Sequence, residues 1–184
     1  LKSNGKKFGK IILFGFSTLM VVSFLQYVIF TSDFLASLFI RRMIITPGLL
    51  SGYYMEFFSS HPKAFLGHSI LSHFSKYPYN FPPPNLIGYW YFGSPSTSAN
   101  ANIWADSFAN FGLIGVLLFS IVASFVLWLF DSVSQFTDKK VASLLIGIPA
   151  FSLTNSALLT GLLTHGILLA ILIVYLSPSK KIVQ

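Results

Sequence analysis

An all-α, polytopic integral membrane protein is the fold class the sequence predicts, and three observations predict it. Over half of the residues are hydrophobic (54%) and only 9% are charged. Several apolar runs approach or exceed the ~18 to 20 residues that cross a bilayer core. The lysines gather in short clusters at the ends of those runs rather than on a basic face interleaved with aromatics, so the net charge of +7 is expected to set membrane topology and no nucleic-acid partner is expected. Cysteine is missing from the sequence, which excludes disulfides, thiolate chemistry and cysteine-ligated metals. The chain starts at Leu1, and LKSNGKKFGK leads directly into an apolar run with no small-residue cleavage site. It is therefore expected to be the C-terminal part of a longer protein, forming a single membrane domain over 1–184.

The first span is expected at about 11–31, which holds no charge and follows Lys2, Lys6, Lys7 and Lys10. Those lysines predict a cytoplasmic N-terminus. A long extracytoplasmic loop, about 32–102, follows and contains no run long enough to span. The second span is expected at about 103–130, and the polar loop after it returns Lys139 and Lys140 to the cytoplasm. From Val141 to Leu176 runs an apolar stretch of 36 residues, too long for one helix at ~1.5 Å per residue across a ~30 Å core. Its polar middle, TNSALLTGLLTHG, predicts two spans, about 141–159 and 162–176, joined by a tight turn near Thr160 and Gly161. Pro178 stops the last helix, and Lys180 and Lys181 mark the cytoplasm again. The expected topology is about four transmembrane helices with both termini cytoplasmic.

Short amphipathic helices are expected within the outer loop. Asp33 can cap FLASLFIRRM, in which Phe34, Leu35, Leu38 and Phe39 share a face suited to the membrane interface. Thr46-Pro47 predicts the start of a second helix running to about Ser60, with Leu49, Leu50, Tyr53, Tyr54, Phe57 and Phe58 on one side. Beyond His61-Pro62 the pattern breaks into turns, FLGHS and YPYNFPPPN, where the consecutive prolines argue against helix and central strand. GYWYFG has the tyrosine and tryptophan content of a headgroup boundary.

Candidate chemistry concentrates in that loop. Arg41 and Arg42 are the two arginines of the chain. A guanidinium presents a planar fork of donors that matches phosphate oxygens in pairs, so the two are candidates for a clamp on a lipid diphosphate. On composition alone, snorkelling to lipid headgroups is the favoured account of them. His61, His68 and His73 lack the i, i+4 spacing and the accompanying carboxylate of a zinc site, so no metal is expected, and each is a candidate proton acceptor or a structural hydrogen-bonding group. His165 lies in the polar part of the final hairpin, where structural hydrogen bonding is the favoured role and joining a site on the loop's side the alternative. Asp106 is the acid near the outer end of the second span, either functional or a first-turn acid favoured by the helix dipole. Gly112 and Gly115 are expected to permit close helix packing. No phosphate loop, dinucleotide fingerprint or nucleophile elbow occurs, which disfavours nucleotide-using enzymes.

The order of these features carries a resemblance. An arginine, a Pro-Gly turn, YYMEFF, FLGHS, then N-x-W-A-D-x-x-A-x-F-G-x-x-G opening a membrane helix, and finally PAFSLTNSALLTGLLTHG, resembles the bacterial O-antigen and capsular polysaccharide repeat-unit polymerases over roughly 32–176. The resemblance implies an inner-membrane glycosyltransferase that joins oligosaccharide repeat units carried on undecaprenyl diphosphate, for capsule or lipopolysaccharide. The diphosphate leaving group supplies the driving energy, so no cofactor is implied. The implied partners are the undecaprenyl-diphosphate-linked oligosaccharide, membrane lipid and a chain-length regulator. In this picture Arg41 or Arg42 stabilises the departing diphosphate and Asp106 or His68 is the base. His61, Tyr53, Asn102 and His165 are supporting candidates. The related O-antigen ligases carry a histidine near the position of Asn102 to Asp106, a departure that favours polymerase over ligase. A transport or flipping component for a lipid-linked glycan and an inert assembly subunit are the other classes considered, and charged residues inside several spans would favour transport. The expected spans contain almost none.

Overall fold

The computed structural model describes residues 2–69 and 72–177; Pro178, Lys180 and Lys181, expected to close the last helix and mark the cytoplasm, lie outside the described residues. The described residues form helices and connecting turns with no strand. Two compact units divide the chain, Leu1–Leu49 and Leu50–Gln184. Three stretches are long and apolar enough to cross a membrane: Leu13–Phe30, Ile103–Ser134 and Leu158–Leu176.

In the first unit, α1 (Lys2–Phe30) contains the first of these stretches. Two of its hydroxyls are satisfied within the helix: Thr18 Oγ1 and Ser23 Oγ donate to the carbonyls of Phe14 and Leu19, at 2.8 and 2.7 Å. Thr31 takes a positive φ of 51° and ends the helix. The next helix is fastened by the Leu35 amide, which donates to Gln26 Oε1 at 3.1 Å. Asp33 takes part through its backbone carbonyl, accepting from the Ser37 amide at 2.6 Å. The segment that follows, Ala36–Ile45, is wound as a π-helix rather than the α-helix its pattern suggests. Wide turns of this kind are rare and recur at functional sites.

Helix α2 (Thr46–Ser60) matches the expected amphipathic helix, and Leu50, Tyr54, Phe57 and Phe58 on its expected face are buried. Burial of each large aromatic contributes ~1.5 to 3 kcal/mol. In the second unit that face packs with Leu86 and Ile87 of α3 (Pro83–Phe92) and with Ala105, Phe108 and Ala109 of α4 (Ile103–Ser134). The existence of α3 corrects the reading of the proline run as helix-excluding. Pro83 and Pro84 occupy the first turn, where the missing amide hydrogens would have had no intrahelical partner.

Helix α4 is not one straight span. Gly112, with φ 65° and ψ −148°, breaks it into arms 103–111 and 113–134, in a backbone region open essentially to glycine alone. The arms fold back on each other. Trp104 Nε1 donates to Ser120 Oγ at 3.3 Å, although the two residues would lie ~24 Å apart along a straight helix. A Cβ added to Gly115 would stand 2.2 Å from the Ser107 carbonyl oxygen, so only glycine permits this closeness. The carbonyl of Ala109, freed at the break, accepts from the Ala64 amide at 2.9 Å. The stretch expected to span from residue 103 is thus built of two helical arms, of which 113–134 alone is ~33 Å long.

The 36-residue apolar stretch is divided differently from expectation. Helix α5 (Lys139–Ser152) has 14 residues, ~21 Å and short of a ~30 Å core. Helix α6 (Leu158–Leu163) contains Thr160 and Gly161, so the turn falls elsewhere, at 153–157 and again before α7 (Ile167–Leu176). Gly166, with φ 92°, makes the second turn possible. Leu158, Leu162, Ile167 and Ile171 form a second core against the long arm of α4.

Candidate functional site

The first arm of α4 is the rigid side of the site. Asn102, in extended conformation, caps it by accepting from the Trp104 and Ala105 amides at 3.1 and 2.9 Å, and its own amide donates to Ser51 Oγ at 2.8 Å. This is a structural cap of the kind that contributes ~1 kcal/mol. One turn on, Asp106 is 7% exposed, a costly place for a carboxyl unless its oxygens are served. Asn110, fully buried, donates from Nδ2 to the Asp106 carbonyl at 2.9 Å and to Asp106 Oδ1 at 3.3 Å. Its Oδ1 accepts from the Leu66 amide at 2.7 Å.

That last bond holds a strained turn. Phe65 and Leu66 both have positive φ, 46° and 55°, a conformation costing ~1 to 2 kcal/mol for each non-glycine residue. The turn presents His68, whose ring lies 5.3 Å from that of Tyr77. Desolvation lowers the His68 imidazole below its ordinary pKa, so the neutral form is favoured.

Asp106, His68 and His165 line one cavity of about 420 Å³. Tyr54 of α2 lines it too, with Oη donating to the Ala99 carbonyl at 2.9 Å, and burial raises its phenol well above the ordinary range. Asn100 precedes α4, while Ser152, Asn155, Ser156 and Thr160 come from the end of α5, the turn after it and α6. His165 Nε2 and Ser156 Oγ are 3.0 Å apart. The lining is thus one carboxyl, two imidazoles, hydroxyls and carboxamides: groups suited to proton transfer and to holding a hydroxyl-rich ligand. Among the described residues no group of three histidines, cysteines or acids is disposed to hold a metal ion.

The other candidates fall outside that cavity. Arg41 and Arg42 are exposed and line a recess of about 360 Å³ within the first unit, with Phe34, Ser37, Leu38 and Thr46. His61 is engaged elsewhere, its ring stacked on Phe57 at 4.1 Å and its Nδ1 2.9 Å from the Phe57 carbonyl oxygen. Tyr53 stacks on Tyr91 at 4.2 Å. His73 is exposed, with Nδ1 3.4 Å from Ser72 Oγ. Sequence reasoning missed Tyr54, Asn110, Ser156 and the other polar residues of the turn after α5. The signal for the last of these was the polar interruption SLTNSALLT in an otherwise apolar stretch. Compared with known protein families, with curated proteins and with solved structures, the chain matches none.

Proposed function

We propose that this chain acts in a glycosyltransferase of the bacterial inner membrane, which polymerises undecaprenyl-diphosphate-linked oligosaccharide repeat units into O-antigen or capsular polysaccharide. One observation carries the reading: Asp106, His68 and His165, separated by long stretches of sequence, line the same polar cavity. The ordered motifs on which the resemblance rests, FLGHS, the W-A-D opening of α4 and the polar final hairpin, are the segments that supply those side chains. The four-span topology, with the loop at the outer face and both termini cytoplasmic, belongs to the same proposal. Exposed Arg41 and Arg42 share one recess, which supports their assignment to the lipid diphosphate, where paired guanidinium donors stabilise the charge of the leaving group. Polymerisation joins an acceptor hydroxyl to the anomeric carbon of a donor sugar while the diphosphate departs. Among the cavity groups, Asp106 and His68 are the acid–base candidates the sequence offers.

Deletion and complementation of the full-length gene, with surface glycan resolved on a gel, tests this reading. A polymerase deletion leaves a single repeat unit attached. A ligase deletion leaves none attached, and loss of lipid-linked material at the outer face identifies a transport component; either result overturns the proposal.

A further inference from the structure

The turn after α5 and the turn before α7, both within the polar final hairpin, bring two side chains together. His165 Nε2 lies 3.0 Å from Ser156 Oγ, and both line the cavity that holds Asp106. A hydroxyl at hydrogen-bond distance from an imidazole nitrogen is the arrangement in which imidazole accepts a hydroxyl proton. Asp106 is differently placed: it is nearly buried, one of its oxygens accepts from Asn110, and its anionic form suits stabilisation of positive charge on a reacting sugar. The other titratable groups lining the cavity are Tyr54 from α2 and His68 from the turn after it; the end of α5, the turn after it and α6 also add the hydroxyls of Ser152 and Thr160 and the carboxamide of Asn155.

We propose that Ser156 and His165 form the acceptor-hydroxyl site of the cavity, with His165 as the base, an inference that rests on the glycosyltransferase reading above. Ser156 Oγ hydrogen-bonds the acceptor sugar's hydroxyl beside the imidazole. As that oxygen bonds to the donor's anomeric carbon, its proton passes to His165 Nε2, directly or through Ser156 Oγ. The bond from the anomeric carbon to the diphosphate oxygen breaks, and the electron pair leaves with the diphosphate. Protonated His165 then releases its proton to water, which its exposed position allows. The ligand class is a saccharide with a free hydroxyl, and no redox partner or metal enters the balance.

The test uses the full-length protein in native membranes, with the lipid-linked repeat unit extracted from a polymerase-deletion strain as substrate and chain growth read on a gel. His165→Gln keeps a partner for the Ser156 hydroxyl but cannot take up a proton. It is expected to lower kcat by about 10²-fold or more. Ser156→Ala is expected to slow growth about 10-fold, the worth of one hydrogen bond, and it carries the test if His165→Gln fails to accumulate. Full activity in His165→Gln, or in Ser156→Ala where His165→Gln does not accumulate, overturns the pair while leaving the polymerase reading intact. No chain growth from the wild-type protein overturns both.

Discussion

The recess around Arg41 and Arg42 takes its whole lining from positions 34–46, whereas the cavity around Asp106 and His165 draws on α2, the turn after it, α3, the start of α4 with the residues before it, and the stretch 152–165. The recess is a local product: consecutive turns of one helical segment put its side chains together, and its arginines are exposed. The cavity is a convergent product, and its central carboxyl and the Asn110 that serves it are buried. A local, exposed site tolerates substitution without loss of fold. A convergent, buried one ties chemistry to stability, so the same kind of substitution should read out differently in the two places.

The largest effect is expected at Asp106. Asp106→Asn preserves shape and should reduce chain growth by on the order of 10² to 10³-fold, measured by gel in membranes with matched protein levels; growth within a few-fold of wild type would remove Asp106 from the chemistry. Next are the arginines. Replacing Arg41 or Arg42 by lysine keeps the charge and loses the fork, and at least one of the two variants should slow growth by about 10 to 100-fold with an unchanged Tm in detergent. Normal long glycan from both variants would leave the arginines as headgroup contacts.

Asn110→Leu sharpens the contrast from the stability side. It strands the buried Leu66 amide and withdraws a partner from Asp106, so the protein should lose about 1 to 3 kcal/mol, seen as a lower Tm; an unchanged Tm would show that the turn and the arm are not coupled. The smallest effect is at His68. Its folded-state pKa is lowered from 6.5 by desolvation, so below pH ~6.5 the unfolded chain binds the proton more readily and stability falls as pH falls through that range. His68→Asn should flatten this part of the stability profile in detergent, and an unaltered slope would place the titration elsewhere.

Much of this was legible in local pattern. The aromatic face of α2 and its limits at Thr46 and Ser60 follow from helical spacing, because amphipathic burial is periodic. Local pattern misled where a residue type has two uses. Prolines read as breakers start α3, since a first helical turn has no need of their missing hydrogens. Gly112 reads as a packing glycine but serves as a hinge, and glycine's freedom at positive φ is the reason. Asn102 lies in the motif that suggests chemistry, yet its side chain is spent on capping α4 and on Ser51. Gly161 was expected in the turn and instead lies in α6, where a Cβ would stand 2.5 Å from Leu153 Cδ2.

The sequence by itself determined that this is a helical protein with stretches apolar enough for a bilayer, because composition and run length fix where a chain can go without unpaired backbone in lipid. It also determined which residue types were available for chemistry and that the arginines stand together. Only the tertiary structure decided that α4 doubles back at Gly112, that Asn110 joins Asp106 to the turn carrying His68, and that Ser156 meets His165. Those meetings depend on a dihedral angle and on packing between segments many residues apart, and a one-dimensional pattern encodes neither.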